Sequence, residues 1–197
     1  DKVAAWPVGI DTESWKPEPD AAKEFDFLIY DKVRWEHDRY EADLIHPIRD
    51  ELQKRGLSSA EIRYGFYKEE DFAQLLQRSK AMIFLCEHET QGIAYQQALA
   101  CGVPILAWDR SGFWQDPEFY PQKVQFEPVS SVPYWDQRCG LTFKDFHCFP
   151  DQLTSFLERL TSGEFASRDY IFENLTLEIS AKQYLQFVNQ CLKCSGD

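Results

Sequence analysis

Positive charge is scarce in this chain. Its 197 residues include 21 Lys and Arg against 33 Asp and Glu, a formal net charge of -12 at pH 7. A general nucleic-acid surface needs clustered cations, so that class of partner is excluded, while a local basic pocket for phosphate is not. The acidity itself serves solubility. Long apolar runs are also missing: no stretch could span a bilayer, and the first residues carry no signal-peptide pattern. The expectation is a cytoplasmic domain. Because the chain starts at Asp1 and enters a loop almost at once, it reads as excised from a longer protein, which leaves membrane association of the whole protein open.

Several motifs are absent as well. No Gly-x-Gly-x-x-Gly follows an expected strand, which disfavours a nicotinamide-type Rossmann enzyme. His88-Glu89 lacks the second histidine of a zinc helix, and there is no Asp-x-Asp pair for a metal-dependent transferase. No histidine has an Asp or Ser partner at a diagnostic spacing, so no nucleophile triad is expected. Of the six cysteines, Cys86 and Cys101 fall in apolar elements as ordinary reduced core thiols. Cys191-Leu-Lys-Cys194 is a C-x-x-C without a second pair. Asn174-Leu-Thr176 is a glycosylation sequon by pattern only, in a helical region.

With 44% hydrophobic residues the chain can bury one sizeable core but not two full Rossmann-type domains. Strands are expected at Phe25 to Tyr30, Ile62 to Tyr64, Ala81 to Cys86, Val103 to Ala107 and Cys139 to Phe143, with a further short one at Val124 to Phe126. Helices are expected at Glu36 to Arg55, Glu69 to Ser79, Ile93 to Cys101, Pro150 to Leu160 and Arg168 to Leu192. Pro47 should kink the first helix or mark its start. This alternation implies a doubly wound parallel sheet covered on both faces. The chain then forms one domain, residues 1–197, with a linker to about residue 24 and a helical region from about 166 to 192. A long aromatic-rich connection runs from Asp109 to Ser131, including Phe113, Trp114, Phe119 and Tyr120.

The most informative stretch is Phe84 to Trp108. A buried strand ends at Cys86, and Glu87, His88 and Glu89 follow. Thr90, Gln91 and Gly92 then lead into a small-residue helix that Gly102 stops and Pro104 forbids to continue. An acid-bearing loop thus lies between a strand's carboxyl end and a helix's amino end, where open α/β sheets bind ligands and where free N–H groups favour a diphosphate.

This stretch resembles the donor-binding motif of the group 1, family four retaining GT-B glycosyltransferases: an acid, seven residues, a second acid, then a helix ending in Gly-x-Pro. Glu89 matches the first acid, and Ala98, Gly102 and Pro104 fall in place, whereas Gln97 replaces the second acid. Gly9-Ile-Asp-Thr-Glu-Ser-Trp-Lys-Pro17 resembles the start of the C-terminal domain in the same family, and Gly140 to Phe143 resembles another of its elements. The resemblance runs from Gly9 to Val188 and implies a Rossmann-like sheet, the C-terminal half of a GT-B architecture, with the N-terminal acceptor domain absent from this chain.

The resemblance also assigns roles. Glu89 would hydrogen-bond the transferred sugar and stabilise its developing positive charge as the catalytic carboxylate. Gln97 would meet the ribose diol without a charged acceptor. Thr90, Gln91, Gly92 and Ile93 would offer N–H groups to the distal phosphate. The family places two cations on the diphosphate after the first strand; here Lys32 supplies one and Arg34 or Arg39 the other. Gly65, with Phe66 or Tyr67, would touch the base. Read without the family, Glu89 is a helix-capping acid, Gln97 a good helix former, and Phe66 or Tyr67 a core aromatic. No metal and no cofactor are implied; the nucleoside diphosphate sugar is the substrate. The partners are that donor and the absent acceptor domain, with transfer of a hexose under retention. A non-catalytic sugar-nucleotide-binding or regulatory module of the same fold is the rival, supported by Gln97 and by Asp31-Lys32 in place of Gly-Arg.

Overall fold

The computed structural model describes residues 4–114, 116–118 and 127–193. Phe119, Tyr120, the expected strand Val124 to Phe126 and Cys194 lie outside the described residues. Among the described residues five strands form one sheet: β1 Phe25–Lys32, β2 Ser59–Arg63, β3 Ser79–Cys86, β4 Ile105–Trp108 and β5 Gly140–Phe143. Their order is β2-β1-β3-β4-β5 and every pairing is parallel. The doubly wound sheet expected from the alternation is therefore present.

Among the described residues there are seven α-helices: α1 His37–Tyr40, α2 His46–Lys54, α3 Glu69–Arg78, α4 Ile93–Ala100, α5 Phe149–Ser162, α6 Ser167–Asn174 and α7 Leu177–Lys193. Side chains alternate along β1, so each face builds its own core. Leu28 and Tyr30 pack with Phe72 and Leu76 of α3 and Tyr95 and Leu99 of α4. Phe27 and Ile29 pack with Ile48 and Leu52 of α2 and Leu153 and Phe156 of α5. Burying each such side chain contributes about 1.5–3 kcal/mol.

Three expectations shift. The second strand is Ser59–Arg63, not Ile62 to Tyr64, because an edge strand alternates half-buried and exposed positions and shows no apolar run. The helix expected from Glu36 contains a π-helical segment, Glu41–Ile45, ahead of Pro47. Proline cannot donate to residue 43 and its ring crowds that carbonyl; a wider turn, with His46 N–H donating to the Glu41 carbonyl, takes up the misfit. The last helical region is two helices, broken where Ile10 pairs with Thr176 and the Ile10 N–H donates to the Leu175 carbonyl at 2.8 Å.

The first residues are consequently packed rather than merely connecting. A Cβ at Gly9 would stand 2.7 Å from the Leu177 backbone, so only glycine allows this approach. Asp11 accepts from the N–H of Glu13 at 3.0 Å and of Ser14 at 3.2 Å, which turns the chain and inserts the Trp15 ring against Phe72. The Arg168 guanidinium donates to the carbonyls of Trp15, Thr12 and Ala100, tying this segment to α4 and α6.

Candidate functional site

Parallel strands of similar length bring β1 and β3 to the same carboxyl edge, where Lys32 pairs with Cys86 in register. The loop after β3 then carries Glu89 back toward β1, and Lys32 Nζ donates to Glu89 Oε1 as an ion pair. Both side chains are largely buried, 15% and 9% exposed, so neither charge is dissipated into bulk water. The Lys32 ammonium also lies 4.7 Å from the centre of the Tyr64 ring. Beneath them the Tyr30 and Tyr67 hydroxyls are 2.6 Å apart, and burial raises both phenol pKa values, so the pair stays neutral.

The loop is rigidly held. Glu89 N–H donates to the Ser130 carbonyl at 2.9 Å, and Ser130 Oγ donates to Asp109 Oδ2 at 2.7 Å beyond the end of β4. Gln96, wholly buried in α4, donates through Nε2 to the Gln91 carbonyl at 2.7 Å and accepts from Gln91 Nε2 at 3.0 Å. Gln91 Oε1 in turn accepts from the Val8 N–H at 3.0 Å. Gly92 has φ 78°, and a Cβ there would stand 1.9 Å from the Tyr95 ring, so no other residue fits. Helix α4 starts at Ile93, and the N–H groups of its first turn have no carbonyl within the helix to meet. Thr90 and Ile93 are exposed at this end, and Gln97 is half-buried one turn further along.

The other expected residues divide. Gly65 turns with φ 84°, and Phe66 beside it is 80% exposed, not a core aromatic, with the Arg63 guanidinium 5.3 Å from its ring. Tyr67 is the core member of that turn, packed on Tyr30 and Phe72. Arg34 is exposed and lies over Trp35, 4.9 Å from that ring, while Arg39 pairs with Glu36 and Asp43 on α1 and the π-helical segment. Lys32 and Glu89 are thus brought together, whereas neither arginine contacts them among the described residues. Sequence reasoning missed Tyr64, Asp109 and Gln96. Only Gln96 left a signal there, a polar residue at a core position of the helix.

Two residues before Glu89, Glu87 occupies a different environment. It is 2% exposed, and its Oε1 accepts from the N–H groups of Arg34 and Trp35, each at 2.9 Å. Burial raises its pKa. His88, 5% exposed, stacks on Trp114 at 4.0 Å and tilts against Trp35 at 5.2 Å. Burial first, then Arg110 and Arg34, lowers its pKa to about 4, which makes it neutral at pH 7. Cys86, Cys101 and Cys139 are buried free thiols with pKa values raised by burial, so none is poised as a nucleophile. Among the described residues no group of three or more His, Cys, Asp or Glu could hold a metal ion. Nor, among them, is any helix long and apolar enough to cross a membrane.

Residues 45–115 match the family model of glycosyl transferases group 1, a span that contains Glu89, Gly92 and Gln97. Over these residues, about a third of the chain, the sequence is similar to the group 1 glycosyl transferases. The chain's fold is that of the C-terminal half of GT-B enzymes. The chain is similar to the sucrose-phosphate synthase of Thermosynechococcus elongatus, with TM-score 0.60 and 15% identity over 95% of this chain and 52% of that one. It is similar to S. aureus TarM, solved as a mutant with fondaparinux, α-GlcNAc-glycerol and UDP, with TM-score 0.58 and 13% identity over 89% and 38%. It is also similar to the pneumococcal O-GlcNAc transferase GtfA, solved with UDP and GlcNAc, with TM-score 0.53 and 11% identity over 94% and 38%. The chain spans about half the length of the first of these and less of the other two. No curated protein sequence matches it. The sequence likeness to the group 1 glycosyl transferases thus lies in residues 45–115, and the structural relatives speak for the fold.

Proposed function

We propose that this domain binds the nucleoside diphosphate sugar of a retaining glycosyltransferase at the carboxyl edge of β1 and β3, and that the complete protein transfers the hexose to an acceptor. The observation that carries this is the Lys32–Glu89 pair beside the open N-terminus of α4. A diphosphate arriving there meets N–H donors and one ammonium ion. It draws Lys32 away from Glu89, and the freed carboxylate then faces the sugar, where it stabilises positive charge in an oxocarbenium-like transition state. Lys32 and the N-terminus of α4 serve the leaving diphosphate, and Arg34 or Arg39 comes into range through movement of its long exposed side chain. Thr90, Gln91, Gly92 and Ile93 supply the backbone donors, Gln97 the ribose contact, and Gly65 with the exposed Phe66 a platform for the base.

An exposed apolar strip on α7, with Tyr184, Leu185, Val188 and Leu192, lies next to the Trp6 ring, which is 5.1 Å from Tyr184. It supports docking of an acceptor-binding domain against this face.

Calorimetry with uridine, guanosine and adenosine diphosphate sugars tests the reading. Binding of one of them, little affected by Mg²⁺, is the expected result; no binding of any at millimolar ligand sinks it. Gln97 favours the second reading, a binding module without catalysis, because an amide grips a diol less tightly than a carboxylate. Turnover in the complete protein that falls with Glu89→Ala, while the bare nucleoside diphosphate still binds, would exclude that module.

A further inference from the structure

Lys32 is the cation that the donor-binding reading sends to the diphosphate, and a lysine is a flexible one, a compact charge on a four-carbon stem with many rotamers. Glu89 fixes it only while their ion pair is intact. Once a diphosphate takes the ammonium from Glu89, another contact has to keep it at the strand ends. The register of the sheet supplies one. Leu28 pairs with Ala60, Tyr30 with Ile62 and Asp31 with Arg63, so the next step of the ladder sets Tyr64 beside Lys32. The Tyr64 N–H donates to the Asp31 carbonyl at 2.7 Å, which continues the parallel hydrogen bonding one residue past β2. Paired positions on neighbouring strands share a face, and the Lys32 ammonium accordingly stands over the Tyr64 ring, 4.7 Å from its centre. Tyr64 is 50% exposed, so core packing does not call for a ring at this position. The nearby Phe66 ring takes a different cation, the Arg63 guanidinium, at 5.3 Å.

We propose that Tyr64 is the positioning residue for Lys32. Its ring attracts the ammonium through the negative face of the π system and carries no formal charge. It therefore holds Lys32 without repelling an incoming diphosphate, as the Glu89 carboxylate does. Two partners share the lysine in the empty site, one that yields to the ligand and one that stays. That the ring holds Lys32 stands without the donor-binding reading; that this hold serves a diphosphate rests on it.

The contact and its consequence are read separately on the 197-residue chain. Substitutions at Tyr64 leave its backbone bond to Asp31 in place, so the turn keeps its shape. In NMR spectra with isotope-labelled lysine, the ring face moves the Lys32 CεH2 resonance upfield, and its loss in Lys32→Met assigns it. Tyr64→Leu should move this resonance downfield, and Tyr64→Phe, which keeps the ring, should not. A resonance indifferent to Tyr64→Leu would overturn the proposal whether or not any nucleotide binds. Calorimetry with uridine, guanosine and adenosine diphosphates, and with inorganic pyrophosphate, which has no base, reads the consequence. For whichever of these binds, Tyr64→Leu should weaken affinity about two- to fivefold, and Tyr64→Phe should restore it. In Lys32→Met the same leucine substitution should change nothing, because the ring then has no ammonium to place. An equal loss in wild type and in Lys32→Met would overturn the proposal, since the ring would then meet the ligand itself, and so would an affinity unchanged by Tyr64→Leu. A Lys32 resonance that responds to Tyr64→Leu, in a protein that binds none of the four ligands, would support the ring's hold on the lysine and refute the donor-binding reading.

Discussion

Glu87 and Glu89 lie in one loop, one residue apart, and meet opposite fates. Glu89 holds a lysine side chain at the surface of the strand ends; Glu87 holds two backbone N–H groups inside. The first is an exchangeable partner, since an ammonium ion can move to a stronger anion. The second is a fixed one, since those N–H groups have nowhere else to turn. The loop therefore joins a part that can respond to a ligand to a part that keeps its shape.

Stability measurements break this comparison most directly. Glu87→Ala strands the Arg34 and Trp35 N–H groups and should cost about 3–5 kcal/mol in urea unfolding. Glu89→Ala leaves Lys32 able to reach water and should cost about 1–2 kcal/mol. Equal losses would mean that the two acids do the same job.

His88, between them, gives a pH test. Its pKa falls from an ordinary 6.5 to about 4 in the folded state. Between those values the unfolded chain binds more protons, so stability present above pH 6.5 is lost as pH falls toward 4. The total is on the order of 3 kcal/mol, and His88→Gln should remove this part of the pH dependence. An unchanged slope between wild type and variant would place the histidine in water.

The smallest effect belongs to Gln97. Gln97→Glu should tighten nucleoside diphosphate binding by about 1 kcal/mol at most, roughly fivefold, through a charged acceptor for the diol. Weaker binding would move the ribose elsewhere.

How much of this was readable beforehand follows from the range of each interaction. The sheet was legible because β1, β3 and β4 are apolar runs bounded by turn residues. The β3–α4 loop was legible because Glu89, Gly92, Gly102 and Pro104 carry their meaning within one local segment. The π-helical segment before Pro47 was half legible: proline announces a misfit, but not how the chain absorbs it. The partner of Lys32 was not legible, because it depends on the register that sets Lys32 opposite Cys86. Arg168 was invisible for the same reason, as its acceptor at Trp15 is 153 residues away. Glu87 and Glu89 look alike as letters, and only the fold assigns one to a cation and the other to the backbone.

The most direct measurement of the central claim is calorimetric titration of nucleoside diphosphates into wild type, Lys32→Met and Glu89→Gln. If a diphosphate takes Lys32 from Glu89, Lys32→Met should weaken binding about tenfold or more, and Glu89→Gln should leave it equal or tighter because it removes the competing carboxylate. Affinity that is indifferent to Lys32→Met, or that collapses with Glu89→Gln, would contradict the account.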